Sequence, residues 1–221
     1  MFPLECAPSR RNFLKSAAAI TAGASTLTLM PSSTFAADSN DSEVNVIGPK
    51  KGYSPQIGTL VSEMTWMRET MLHSVKGMSQ KDLDFLLDDK ANTIGAMLWH
   101  LAATDRIYQL NTFEGNSLEK LPADFEEKFA VAMNLGEPAR KSIKGHDLDF
   151  YLSLLHETRE HTLAEFRKRD DNWLLAVDKT WGWGPTNNYC KWFHVCEHES
   201  NHNGQIKFLK GRLPGAKPAS E

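Results

Sequence analysis

Three histidines stand four residues apart in one stretch of this chain: His194, His198 and His202. On an α-helix, side chains at i and i+4 lie one above the other, about 5–6 Å apart, so two imidazoles at that spacing can reach one metal ion. Three cannot, because His194 and His202 would be about 12 Å apart along the axis. A helical wheel at about 100° per residue separates them. Trp192, Val195, Ile206 and Leu209 cluster on one face. His202 falls about 30° from the centre of that cluster, His198 about 70° and His194 more than about 100°. The inward pair is therefore His198 and His202, with His194 turned to the surface. Buried imidazoles need partners for their ring nitrogens. A metal would supply them, and so would hydrogen bonds to other side chains; spacing alone leaves both open. Glu199 lies about 30° from the centre of the apolar face, on the side opposite His202. A carboxylate there can orient a ligand or move a proton, and it can equally pair with a buried Arg or His.

Four helical stretches must position these groups. In the first, about Pro55 to Gly77, Ile57, Leu60, Met64, Met67, Met71 and Val75 recur at steps of three and four, the mark of a buried stripe. Its methionines are read as core packing. The second runs from about Ala91 to Phe113, with Ile94, Met97, Leu98, Leu101 and Tyr108 on one side. The third spans Asp147 to Lys168. The fourth starts at Asn187 or Asn188, either a good N-cap, and ends before Gly211 and Pro214. A short polar segment joins the first two. Between the second and third lie roughly 33 residues, Glu114 to His146, with a short helix around Phe125 to Met133. A connection that long can cross a bundle. No strand pattern of useful length and no internal repeat is visible. The expected fold is all-α: a four-helix bundle with one long crossover between helices two and three.

The segment His198-Glu199-Ser200-Asn201-His202-Asn203-Gly204-Gln205-Ile206 resembles the last-helix motif of the DinB-like (DinB/YfiT) metal-binding superfamily, His-x3-His followed by Gly-Gln and an aliphatic residue. Ile94-Gly95-Ala96-Met97-Leu98-Trp99-His100-Leu101-Ala102 is similar to that superfamily's second-helix segment. The resemblance covers residues 57–213. It implies that His100 is a third ligand beside His198 and His202, and that one divalent metal ion is held. Zinc is the first choice; nickel, Fe(II) and Mn(II) also suit neutral imidazoles. Three protein ligands with open positions describe a catalytic or substrate-binding site better than a structural one. Asn203 departs from relatives that carry His or Arg after the last ligand.

The superfamily includes thiol-dependent S-transferases. The function expected is therefore a metal-dependent hydrolase or thiol-type transferase acting on a small molecule, with Glu199 in an orienting or proton-handling role. The alternative is a non-catalytic metal-binding sensor or accessory bundle. A zincin peptidase is the third reading, since His198-Glu199-Ser200-Asn201-His202 satisfies H-E-x-x-H. Against it, no downstream third His follows and Glu221 is the only acid after Glu199.

The 221 residues allow one ordinary domain, and a net charge of -3 shows no basic excess that would point to nucleic acid. Residues 1–36 read as a twin-arginine signal: Arg10-Arg11 within Ser9 to Lys15, an apolar run from Ala17 to Met30, then Thr34-Phe35-Ala36 as a cleavage site. That run is too short and weakly apolar for a membrane span. The mature protein is expected in the periplasm or otherwise exported. Residues 37–54 read as a flexible tether, 55–213 as the bundle and 214–221 as a C-terminal tail. The expected partners are the twin-arginine export machinery and a small-molecule substrate, with a homodimer allowed. Cys190 and Cys196 sit six apart on one helix, about 9 Å along its axis, too far for an unstrained disulfide. Trp181 and Trp183 stand where a loop could cover the site, and Trp99 adjoins His100.

Overall fold

The structure, a computed structural model, describes residues 44–217. The twin-arginine leader, residues 37–43 of the expected tether and residues 218–221 lie outside the described part. The elements in chain order are α1 (Pro55–Val75), α2 (Gln80–Leu83), α3 (Ile94–Thr112), α4 (Ala123–Asn134), α5 (Gly136–Ser142), α6 (Leu148–Phe166), α7 (Asp171–Leu175), β1 (Val177–Asp178), β2 (Thr186–Asn187) and α8 (Asn188–Lys210). The long helices α1, α3, α6 and α8 are the four expected from the apolar periodicity.

Their starts are set by side chains that accept otherwise orphaned backbone N–H groups. Thr93 receives the Ala96 N–H, Asp147 that of Phe150 and Asn187 that of Cys190. At α1, Pro55 occupies the first turn, and the Asp171 carboxylate accepts from the Gln56 and Ile57 N–H groups. The two strands pair antiparallel, Val177 with Asn187 and Asp178 with Thr186. Two residues each are too few for an alternation to register in sequence.

Cross-helix contacts give the directions. On α1 and α8, Arg68 meets Glu199 and Ser74 meets Asn203, so these helices run parallel. On α3 and α6, Gly95 faces Tyr151 and Gln109 reaches Thr162, again parallel. Between the pairs the sense reverses: His100 faces His198 while Tyr108 faces His194, and Arg68 reaches the Leu155 carbonyl while Arg159 reaches that of Met64. Parallel neighbours cannot be joined by a tight turn. The segment between α3 and α6 must therefore return along the bundle, which is the expected crossover. It carries α4 and α5, and α4 packs on α3.

The core is divided in two. One apolar cluster holds Met71, Val75, Met97, Leu101, Tyr151, Leu155 and Ile206. The other holds Ile57, Leu60, Met64, Phe166, Trp192 and Val195. Met64 and Met71 are both fully buried, which bears out the core reading of that stripe. Between the clusters lies a polar layer of Arg68, Asp105, Arg159 and Glu199, one residue from each long helix and all buried. Gly95 admits the Tyr151 ring, whose hydroxyl would lie 2.6 Å from a Cβ there. Gly58 similarly lets the chain pass, since an added Cβ would collide with the Lys50 backbone nitrogen. The described half of the expected tether runs along α1, with Gly48 N–H donating to Ser62 Oγ at 3.0 Å.

Candidate metal centre

His100 projects from α3, and His198 and His202 from α8. The buried stripe of α8 is Trp192, Val195, Cys196, Glu199, His202, Asn203, Ile206 and Leu209, at helical spacing. It turns His202 fully inward and leaves His198 half-buried at its edge. The structure brings the three histidines together. His198 Nε2 lies 2.8 Å from His100 Nε2 and 3.1 Å from His202 Nε2, and the ligand atoms of all three fall within 4.8 Å of one another. Three nitrogens at about 2.1 Å from one ion would stand about 3–3.5 Å apart.

The protons decide what such a cluster can do. His100 Nδ1 lies 3.0 Å from the Ala132 carbonyl oxygen, which only accepts. Its proton is therefore on Nδ1, and Nε2 offers a lone pair. His202 Nδ1 lies 3.1 Å from Gln205 Oε1, and the Gln205 amide nitrogen donates to Asn201 Oδ1 at 3.2 Å, which fixes the amide's orientation. His202 Nε2 is a lone pair too. His198 can donate at most one proton between them. Three converging nitrogens with at most one hydrogen suit a cation, and the carbonyl partners behind them are the usual outer support of metal-ligating histidines. Burial lowers the basicity of all three rings. His198, pressed also by the neighbouring imidazoles, is pushed down to about 3, and His202, by burial and then His100, to about 4. At neutral pH they are neutral, the ligating form.

Glu199 stands beside the cluster in sequence but turns into the polar layer. Its carboxylate accepts from Arg68 Nε and from Arg159 Nη2 at 3.0 Å. Asp105 pairs with the same two guanidiniums, at 3.5 Å and 3.2 Å. Burial alone would raise the Glu199 pKa, but Arg68 and Arg159 hold it below the ordinary range. A carboxylate held ionised between two guanidiniums has no proton to give and little basicity. The geometry thus favours the ion-paired alternative over the proton-handling role and the zincin reading. The sequence patterns assign no role to Arg68, Asp105 or Arg159, and they mark Gln205 only as part of the last-helix motif.

Other placements differ from expectation. His194 is half-buried, not turned to open solvent. Tyr108 from α3 meets its Nδ1 at 2.7 Å, and the Trp183 ring lies edge-on at 4.9 Å. A wheel drawn on one helix cannot include what neighbouring elements bring to its flank. Trp99 points away from the cluster to pack with Phe150 and His146, at 5.2 Å and 5.9 Å between ring centroids. Trp181 lies against Tyr108 and under the Lys191 ammonium. Asn203, buried, accepts from Ser74 Oγ at 2.7 Å and so ties α8 to α1. Cys190 and Cys196 are both free, and burial raises the Cys196 thiol to about 11.

A family model described as mycothiol-S-transferase matches residues 59–215. That family lies within the DinB/YfiT-like superfamily. No curated protein matches the sequence. Among solved structures, one described as the conserved protein of a locus from Enterococcus faecalis is 15% identical, with a TM-score of 0.53 over 69% of this chain and 93% of that one. At that identity the likeness concerns the fold alone.

Proposed function

The chain belongs to the mycothiol-S-transferase family, and from that premise we propose that it is a metal-dependent transferase using a small thiol, its ion held by His100, His198 and His202. The observation that carries this reading is the convergence of three Nε2 atoms, two of them stripped of protons by Ala132 and Gln205. When bound, the ion would lower the pKa of a coordinated thiol and so supply a nucleophile at neutral pH. Zinc suits this chemistry best, with nickel, Fe(II) and Mn(II) the other candidates.

The chain's own residues do the rest. Ala132 and Gln205 hold two rings in one orientation and one tautomer. The four-residue polar layer fixes the level at which α8 meets α3. His198, half-buried, marks the side from which a small molecule can enter.

The test is metal analysis of untagged protein, followed by assays of thiol consumption against a panel of electrophiles. One divalent ion per chain is expected, with thiol-dependent turnover that a chelator abolishes. Protein that carries the ion but never consumes thiol would instead favour a non-catalytic metal-holding bundle. Protein that takes up no divalent ion at all would end both.

Export is part of the proposal and rests on Ser9 to Ala36. Changing Arg10 and Arg11 together to Lys should leave full-length precursor in the cytoplasm, seen by fractionation and immunoblot. Unchanged export of that variant would remove the twin-arginine assignment. No helix among the described residues is long and apolar enough to cross a membrane.

A further inference from the structure

His194 is one turn from His198 on the open flank of the cluster, its ring centroid 5.3 Å from that of His198. It is not one of the three converging ligands. Its Nδ1 lies 2.7 Å from the Tyr108 hydroxyl. Tyr108 is only 5% exposed, and among the described residues its hydroxyl has no other partner. If Nδ1 carried the proton, the buried phenol O–H would lack an acceptor, at a cost of about 1–3 kcal/mol. The phenol therefore donates and Nδ1 accepts. The neutral ring must then carry its hydrogen on Nε2, and among the described residues no acceptor meets that N–H.

The ring is also held in place. Trp183, 58% exposed, closes edge-on against it at 4.9 Å, and Trp181 lies between Trp183 and Tyr108, at 5.6 Å and 5.8 Å. Gly184 at φ +94 makes the turn that folds this loop back. The His194 ring is thus locked through Nδ1 and keeps its other nitrogen as a donor beside the cluster.

We propose that His194, held in its Nε2–H tautomer by Tyr108, donates a hydrogen bond to the sulfur of the small thiol that enters beside His198, with Trp183 as the rim of that thiol site. This rests on the metal-site reading given above. The ligand class is a small anionic thiolate, which gains from a donor on the side away from the ion. Tyr108 acts through His194 and is a positioning residue.

The full chain loaded with cobalt(II) provides the test, because visible absorption reports cobalt binding and a near-ultraviolet band reports sulfur reaching it. The probe is 2-mercaptoethanol. His194→Phe keeps a ring against Trp183 but removes the donor. It should bind cobalt as the parent does and weaken thiol binding about tenfold, the scale of one charge-assisted hydrogen bond. His194→Gln, whose amide can donate, should recover most of the loss. Tyr108→Phe, which frees Nδ1 to take the proton, should weaken the thiol about threefold with cobalt affinity unchanged. Thiol affinity in His194→Phe equal to the parent's would overturn the proposal, and so would loss of cobalt from that variant, since His194 would then be a ligand. A parent protein that binds no cobalt would remove the metal site itself, an outcome visible before any thiol is added.

Discussion

His202→Ala should cost the protein most of its metal. Two imidazoles on different helices, His100 and His198, would remain, and the Gln205 amide would lose the ring it orients. Loss of an outer hydrogen-bond partner alone costs about 10–100-fold in metal affinity, so loss of a ligand should exceed that. An ion bound only by the folded state adds RT ln(1 + [L]/Kd) to stability, about 2.7 kcal/mol at a hundred times Kd. The variant should therefore melt lower than the parent, and chelator should no longer lower it further. His194→Ala is the matched control on the same helix. It should keep its metal and its chelator-sensitive share of stability, losing the Tyr108 hydrogen bond and the edge contact with Trp183. Metal content and melting temperature with and without chelator decide the matter. If His194→Ala loses metal while His202→Ala keeps it, the assignment of ligands along α8 is wrong.

How much of this was legible in sequence depended on whether a signal was local. The four long helices were legible because each carries its own apolar stripe, and the start of the last one also because Asn187 caps it. Helix α1, whose first N–H groups are taken by the distant Asp171, has no cap of its own to read. The crossover was legible from the length of the segment between Glu114 and His146. The His198–His202 pair was legible from spacing, and His100 only through resemblance, because no rule of one helix places a residue of another. What neighbours contribute stayed hidden. The Ala132 carbonyl is backbone and has no sequence signature. His194 acquires its burial from Tyr108, on another helix, and from Trp183, in the loop that leads into α8. Arg68 had a readable signal: it lies four residues after Met64 and three before Met71, squarely in the stripe of α1. A charge in such a position demands a buried partner, but only the folded bundle says that the partner is Glu199.

The second large effect is expected at that partner. Glu199 and Asp105 carry two negative charges and Arg68 and Arg159 two positive ones, so the layer is neutral while buried between two apolar clusters. Glu199→Leu would leave two guanidiniums facing one carboxylate. Breaking a buried pair from one side is destabilising by about 3–5 kcal/mol, because a charge stays behind without water or partner. Removing an opposite charge as well should relieve much of this. In Arg68→Met/Glu199→Leu, Arg159 and Asp105 remain as a neutral pair at 3.2 Å, and replacing a buried ion pair by apolar groups of similar size is often neutral. Denaturant unfolding of the two single variants and the double should therefore show the double more stable than Glu199→Leu alone. Strictly additive losses would mean that Arg68 and Glu199 are not energetically coupled. The same layer sets the axial level of α8 against α3, and the histidines sit one residue and one turn away from it. The double variant should keep a bundle yet bind the ion more weakly than the parent, since an apolar layer can slide where four helices joined by charge cannot. Parent-like metal affinity in a stable double variant would show that packing alone holds His100, His198 and His202 in register, and that the charged layer contributes to stability without positioning the site.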